Sequence, residues 1–365
     1  MRQQETIQQL ILPTSDIIKQ LAILPEEFDK VMIILKRMFE VVQKGYIPKG
    51  DFDKEVLNNT QLGVATLANE QEFRKFSIDA VEDVKDEEIV LVAKHLLTQP
   101  NRCSKTWISA PDDIGILFDV AKRKLPTNTV IIKVPDSDKY IIATAVGNVH
   151  DLTAEHGYTV SVAEASRNIV CAGGKPIAIT NYLPSQPIMI GVLEKATNMM
   201  TIDFKHEGDL IYLIGASKND IIASEYLHAY KNIQVSVPSV LNVPEEQNIQ
   251  DIVAQLIENK AIQSALSVSG GGLFIALAEA AMANNLGFSI RTNSAYRKDA
   301  FLFGEAQSRV LVSITLDQYA LFDAIIAATD VKASFLGKVK KGNFVIDAET
   351  IMATSEAKDL ITKLS

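Results

Sequence analysis

From residue 129 onward the chain alternates short β-rich runs with helical patterns, and this alternation constrains its fold more than any other feature. Residues 129–134 and 140–146 are β-rich and are joined by the turn-forming PDSDK. Ser161 and Glu164 have capping-box spacing, so a helix is expected over 162–171, closed by Gly173 and Gly174. Residues 177–183 and 188–193 read as strands. A buried-strand pattern, DLIYLIG, covers 209–215, and a helix is expected from 219 to 230. Another helix starts at VPEE and runs through Ile257. Strand-like 265–268 leads into Gly270, Gly271 and Gly272 and then a helical pattern over 273–284. The run at 309–314, a helix at 318–328 and short strands around 335–346 complete the series. Such alternation predicts an α/β (α+β) protein with helices layered on sheet.

Upstream the texture is helical. Residues 25–44 begin with a proline and two acids and end in Lys44-Gly45, the charge order that a helix dipole favours. Val31, Ile34, Leu35, Met38, Phe39 and Val42 fall on one face, a stripe that is more often core or partner surface than a cofactor box. A polar stretch over 48–60 follows. The helical pattern EEIVLVAKHLL dominates 73–101 and is stopped by Pro100. The expected division is a helical N-terminal segment (1–71), a linker-like helical region (72–128), a strand-rich unit (129–196) and an α/β unit (197–365).

With 365 residues and 47% hydrophobic content, the chain can build two cores. Its net charge of −9 argues against a broad phosphate-tracking surface, so no nucleic-acid partner is expected. Two cysteines, Cys103 and Cys171, are too few and too distant for a disulfide framework or a CxxC metal site. No apolar run approaches membrane length, and the first residues lack a signal-peptide pattern. A cytoplasmic protein with no membrane partner is expected.

At 162–180 the residues become specific. VAEASRNIVCAGGKPIAIT resembles the AVAEAARNIVC-G-KP-AIT stretch of phosphoribosylformylglycinamidine synthase, the ATP-dependent ligase of purine synthesis. Three further segments are similar to its C-terminal half, in the same order. They are EGDLIYLIG with SKND and SEYL, VSGGGLFIALAEAAMANNLGF, and LFGEAQSR. Upstream, FRKFSIDAV and VAKHLLTQPNRCSKTW are like the linker that leads into that half. The resemblance covers most of 72–365. It implies an aminoimidazole-ribonucleotide-synthase-like strand-rich domain followed by an α/β domain.

It also implies where chemistry would sit. The family holds Mg-ATP or ADP with acids at strand ends and glycine turns. Here the acid of its Thr-x-Asp-x-Asn turn is replaced by Val146. In its AHDVSDGG motif the histidine is Leu266 and the aspartates are Ser267 and Gly270. An NFGNP loop, a helix and a strand are absent after Leu183. No catalytic residue is therefore assigned. Gly270, Gly271 and Gly272 remain as nucleotide- or phosphate-binding candidates, because a glycine turn entering a helix can hold an anion. Its other reading is a tight turn that only glycine permits. Glu305 is the candidate magnesium ligand, or else one half of an ion pair with Arg309 at helical spacing. His150, Asp151, Glu155 and His156 read as a polar loop without metal-site spacing. Cys171 reads as a buried thiol, and Cys103, near Arg102 and Lys105, as at most a mildly activated one, with no orienting histidine close in sequence.

The expected function is that of a non-catalytic homologue kept for assembly or regulation, or else one part of a split ligase. The expected partners are a homo-oligomer or a purine-synthesis partner chain. The missing strand should leave an open sheet edge and an apolar face beside 188–193, bearing Ile188, Ile190 and Val192.

Overall fold

The structure, a computed structural model, describes residues 77–99, 129–133, 138–146, 154–183, 186–233 and 241–362. The expectations for 1–71, Cys103, His150 and Asp151 lie outside these residues. Helix α1 (Asp86–Leu97) has three acids in its first turn and Lys94 and His95 in its last, matching the helix dipole at both ends. A first sheet follows, made of β1 (Val130–Lys133), β2 (Tyr140–Ala145), β3 (Lys175–Leu183) and β4 (Gln186–Leu193), with α2 (Ala154–Cys171) between β2 and β3. The strands run in the order β1-β2-β4-β3, all antiparallel. Helix α2 packs Val162, Ala165 and Ile169 against Ile142, Ile179, Met189 and Leu193.

Two expectations change here. Helix α2 begins at Ala154, so Ser161 is no cap but a fully buried residue inside the helix. Glu155 and His156 thereby belong to a helix rather than a loop. Strand β4 lies between β2 and β3, and Ile188 and Ile190 are fully buried within the chain. The open edge expected beside 188–193 is not there, because β2 and β3 occupy both sides of β4.

The second sheet contains β5 (Leu210–Ile214), β6 (Ser264–Ser267), β7 (Leu286–Ile290), β8 (Val310–Ile314), β9 (Ala333–Lys341), β10 (Asn343–Ile346) and β11 (Glu349–Ala353). Their order is β11-β10-β7-β9-β5-β8-β6, antiparallel except for β10 with β7. One face is covered by α1, α4 (Gly272–Met282) and α7 (Thr354–Thr362) around Phe274, Phe288, Phe303 and Phe344. The other face is covered over β5, β6 and β8 by α3 (Val243–Glu258) and α6 (Tyr319–Ala327). Helix α5 (Lys298–Phe303) packs on α4. The residues before and within α1, from Val81 to Leu97, share the core of this second sheet.

The helix expected over 219–230 shrinks to a π-helical turn, Tyr226–Tyr230. The Asp220 carboxylate accepts from the Ile222 N–H, and Ala223 takes a left-handed φ of 57°, so the chain bends where a helix would have started.

Candidate functional site

Strand β6 ends at Ser267, and the chain then turns through Gly270 and Gly271 into α4. Gly271 and Gly272 have φ of 73° and 69°, and a Cβ on Gly272 would stand 2.7 Å from the Gly304 carbonyl oxygen. Glycine is required there by conformation and by close approach alike. Gly271 is the N-cap of α4, and its N–H lies outside the helix's own ladder. That donor is taken up from within the chain, by Glu305 Oε1 at 2.8 Å. The same oxygen accepts from the Glu225 N–H at 2.7 Å. The turn that could hold an anion thus holds the chain's own carboxylate.

The structure brings together Gly271 and Glu305, two of the residues singled out in the sequence. It does not give Glu305 and Arg309 helical spacing, because 304–309 is irregular. Arg309 is fully buried and donates from Nε to Ala306 O at 2.9 Å and from Nη2 to Gly304 O at 2.7 Å. Burial pushes its guanidinium down to about 10, as does the nearby charge of Arg167, while Glu305 and Asp220 act the other way. It remains cationic at neutral pH.

Sequence reasoning missed a polar cluster beneath the turn. Arg167 on α2 is fully buried and forms an ion pair through Nη1 with Glu246 on α3. Its Nε donates to Ser267 Oγ at 2.8 Å and its Nη2 to Gln307 Oε1 at 3.2 Å. Ser308 Oγ and Gln250 Nε2 both donate to the Glu246 carboxylate, at 2.7 Å each. The signal in sequence was that Arg167 falls inside VAEASRNIVC, the stretch that carries the family resemblance. Ser267, at a position where the resemblance implies an aspartate, thus accepts from Arg167.

Two positions where the resemblance implies an acid or a histidine carry apolar side chains instead. Val146 packs against the first core and Leu266 against the second. The cavity beside Leu266 and Ser267, also bounded by Cys171 and Met200, is about 10 Å³, room for one water at most. Burial pushes the Cys171 thiol there up to about 12, so it is not a reactive thiolate. Among the described residues, no three His, Cys, Asp or Glu side chains gather to hold a metal. A larger cleft, about 520 Å³, opens elsewhere, between the end of α2 and α3, and neither the glycine turn nor Glu305 lines it.

Residues 206–348 match the family described as AIR synthase related protein, C-terminal domain. The phosphoribosylformylglycinamidine synthase subunit PurL of Alkaliphilus metalliredigens is 28% identical over 347 residues, covering 81% of this chain and 47% of its own length. That of Moorella thermoacetica is 27% identical over 303 residues, covering 69% and 41%. The chain therefore spans less than half the length of these relatives. Among solved structures, T. maritima PurL complexed with FGAR superposes with a TM-score of 0.59 at 14% identity, over 75% of this chain and 53% of that one. T. maritima PurL complexed with AMPPCP gives 0.55 at 13%, over 75% and 51%. These likenesses establish a shared fold. No helix among the described residues is long and apolar enough to cross a membrane.

Proposed function

We propose that this chain, a distant homologue of the PurL subunit with an AIR-synthase-type C-terminal domain, keeps the fold for assembly or regulation and does not catalyse the ligase reaction. The observation that carries this reading is that groups turned inward fill the positions of the family's acids and histidine: Val146 and Leu266 pack in the two cores, and Ser267 Oγ accepts from Arg167. The glycine turn, besides, has the Glu305 carboxylate on its Gly271 N–H. A phosphate entering that turn would have to displace a charge-assisted bond and face a carboxylate of its own sign. Val146 and Leu266 cannot ligate magnesium. The assignment of Gly270, Gly271, Gly272 and Glu305 to Mg-ATP or ADP is accordingly the weaker alternative. Solved relatives do carry nucleotides, as T. maritima PurL complexed with ATP and with ADP show for that protein.

A second reading is one part of a split ligase working with a purine-synthesis partner chain. The similarity to the PurL subunit over 81% of this chain favours it. The test is direct. The purified chain, given formylglycinamide ribonucleotide, ATP, magnesium and ammonia, should release no phosphate above background, and calorimetry should detect no micromolar binding of Mg·ATP. Ribonucleotide-dependent turnover by the chain alone would overturn the proposal. Turnover that appears only when a second chain is added would establish the split ligase.

A further inference from the structure

We propose that the cleft between the end of α2 and α3 binds a small zwitterion with an apolar body, a short apolar peptide held by its two charged ends. The cleft measures about 520 Å³, inside the range of about 300–1,000 Å³ common to ligand pockets. Its walls come from the two halves of the molecule. Lys175, which opens β3 opposite Val192 of β4, and Lys195, just after β4, line it from the first sheet. On α3, Asp251, Ala254 and Glu258 are spaced by three and four residues, so they share one face and form the other wall. Val170, Val192 and Ile257 also line the cleft and are buried, which gives it an apolar floor. Both ends are pinned. At one, Ser166 Oγ donates to Gln250 Oε1 at 2.8 Å. At the other, Lys260, just past α3, donates to Thr197 O and Asn198 Oδ1 and ties the helix to the segment after β4. A cleft whose walls are already fixed gives up little freedom when it is filled.

Charge selects the ligand. Of the acids lining the cleft, Glu194 is taken by Lys139 at 3.0 Å, and Lys139 does not line it. Asp251 accepts only a neutral donor, Gln247 Nε2 at 2.9 Å, so its charge stays uncompensated. Lys175, Lys195 and Glu258 have no ion pair or hydrogen bond among the described residues. Two cations on the sheet wall therefore stand across from two anions on the helix wall, and no ion pair joins them. A simple anion would meet the acids of α3, and a simple cation would meet the lysines. A molecule with one charge at each end complements both walls and lays its apolar body on Val170, Val192 and Ile257. The charges of a peptide sit at opposite ends of its chain, which suits walls too far apart to pair directly. The inference goes beyond the ligase question, because neither the glycine turn nor Glu305 lines this cleft.

Calorimetry on the full chain with the dipeptide leucyl-leucine tests it. A Kd between about 10 μM and 1 mM is expected. The N-acetylated dipeptide and the dipeptide amide each lack one charge, and each should bind at least about threefold more weakly, as the loss of an exposed ion pair predicts. Lys195→Glu and Glu258→Lys should each weaken the free dipeptide by a similar factor. Ala254→Trp should abolish binding, because the indole fills the space between the walls. Ala254 is exposed, so its melting by circular dichroism should stay unchanged. A wild type that binds no leucyl-leucine at about 10 mM overturns the proposal. Equal binding of the capped dipeptides overturns it too, as does binding indifferent to Lys195→Glu, Glu258→Lys and Ala254→Trp. If Ala254→Trp misfolds, the two charge reversals decide, since both alter exposed side chains.

Discussion

Glu305 illustrates how one side chain can change the meaning of a glycine turn. Its Oε1 satisfies two backbone donors that belong to different segments, Gly271 and Glu225. Removing the carboxylate leaves these N–H groups without that acceptor, at a cost of about 1–3 kcal/mol for a buried donor. Glu305→Ala should therefore lower the urea midpoint, and Glu305→Gln, which keeps an acceptor oxygen, should lower it less. Amide exchange at Gly271 and Glu225 should accelerate in the alanine variant ahead of the rest of the second sheet. Unchanged exchange at both amides would show that the bond contributes nothing to holding the turn.

At the scale of elements, the segment before α1 acts as a clasp on α5. Asp83 caps α5 from a distant part of the chain, accepting from the Lys298 and Asp299 N–H groups at 2.9 Å each. Arg297 returns the contact, donating to the carbonyls of Ile78 and Val81. Burial pushes the Asp83 carboxyl up, but the Asp299 and Lys298 N–H donors outweigh it and hold it below its ordinary value of about 3.9. A carboxylate held low in the folded state contributes stability that is present above about pH 4 and lost as pH falls through its folded value. Asp299 shifts upward, through burial first and the Asp83 charge in addition, against the pull of Arg297. Asp83→Ala should cost about 0.5–2 kcal/mol at pH 7, the usual range for a lost cap. That gap should narrow in urea titrations below pH 4. A constant gap down to pH 3 would mean that the cap works without its charge. Sequence alone showed much of this layer. Helices α3 and α4 were legible from the Pro244-Glu245-Glu246 start and the glycine entry, signals carried by local backbone chemistry. The helix expected at 219–230 failed because Ile221, Tyr226 and Leu227 are buried for tertiary reasons, whatever the local backbone does. Glu305 meeting Gly271 was suggested only by family resemblance. The Arg167–Glu246 pair spans 79 residues and has no local signature.

Across the whole molecule, that pair joins the helix of the first sheet to a helix of the second. Breaking a buried ion pair by deleting one partner costs about 3–5 kcal/mol, because a charge is left without its counterion. Glu246→Ala should cost that much and uncouple the two sheets, splitting one calorimetric transition into two. Arg167→Met combined with Glu246→Leu should recover part of the loss, since neither charge then remains. A single transition at the wild-type temperature in Glu246→Ala would show that apolar packing alone unites the halves.

The position of α1 bears on when this protein can fold. Its apolar side chains lie in the same core as Ala357 of α7, and Lys94 reaches Glu356 at 2.7 Å. The first described helix is therefore finished only by the last. On a ribosome adding about 5–20 residues each second, roughly 250 residues separate the two, a delay on the order of 10–50 s. Throughout that interval Val92, Leu96 and Leu97 have no native α7 to pack beneath. Completion of the second sheet's core consequently waits for the synthesis of α7, and until then those side chains lack one of their native neighbours.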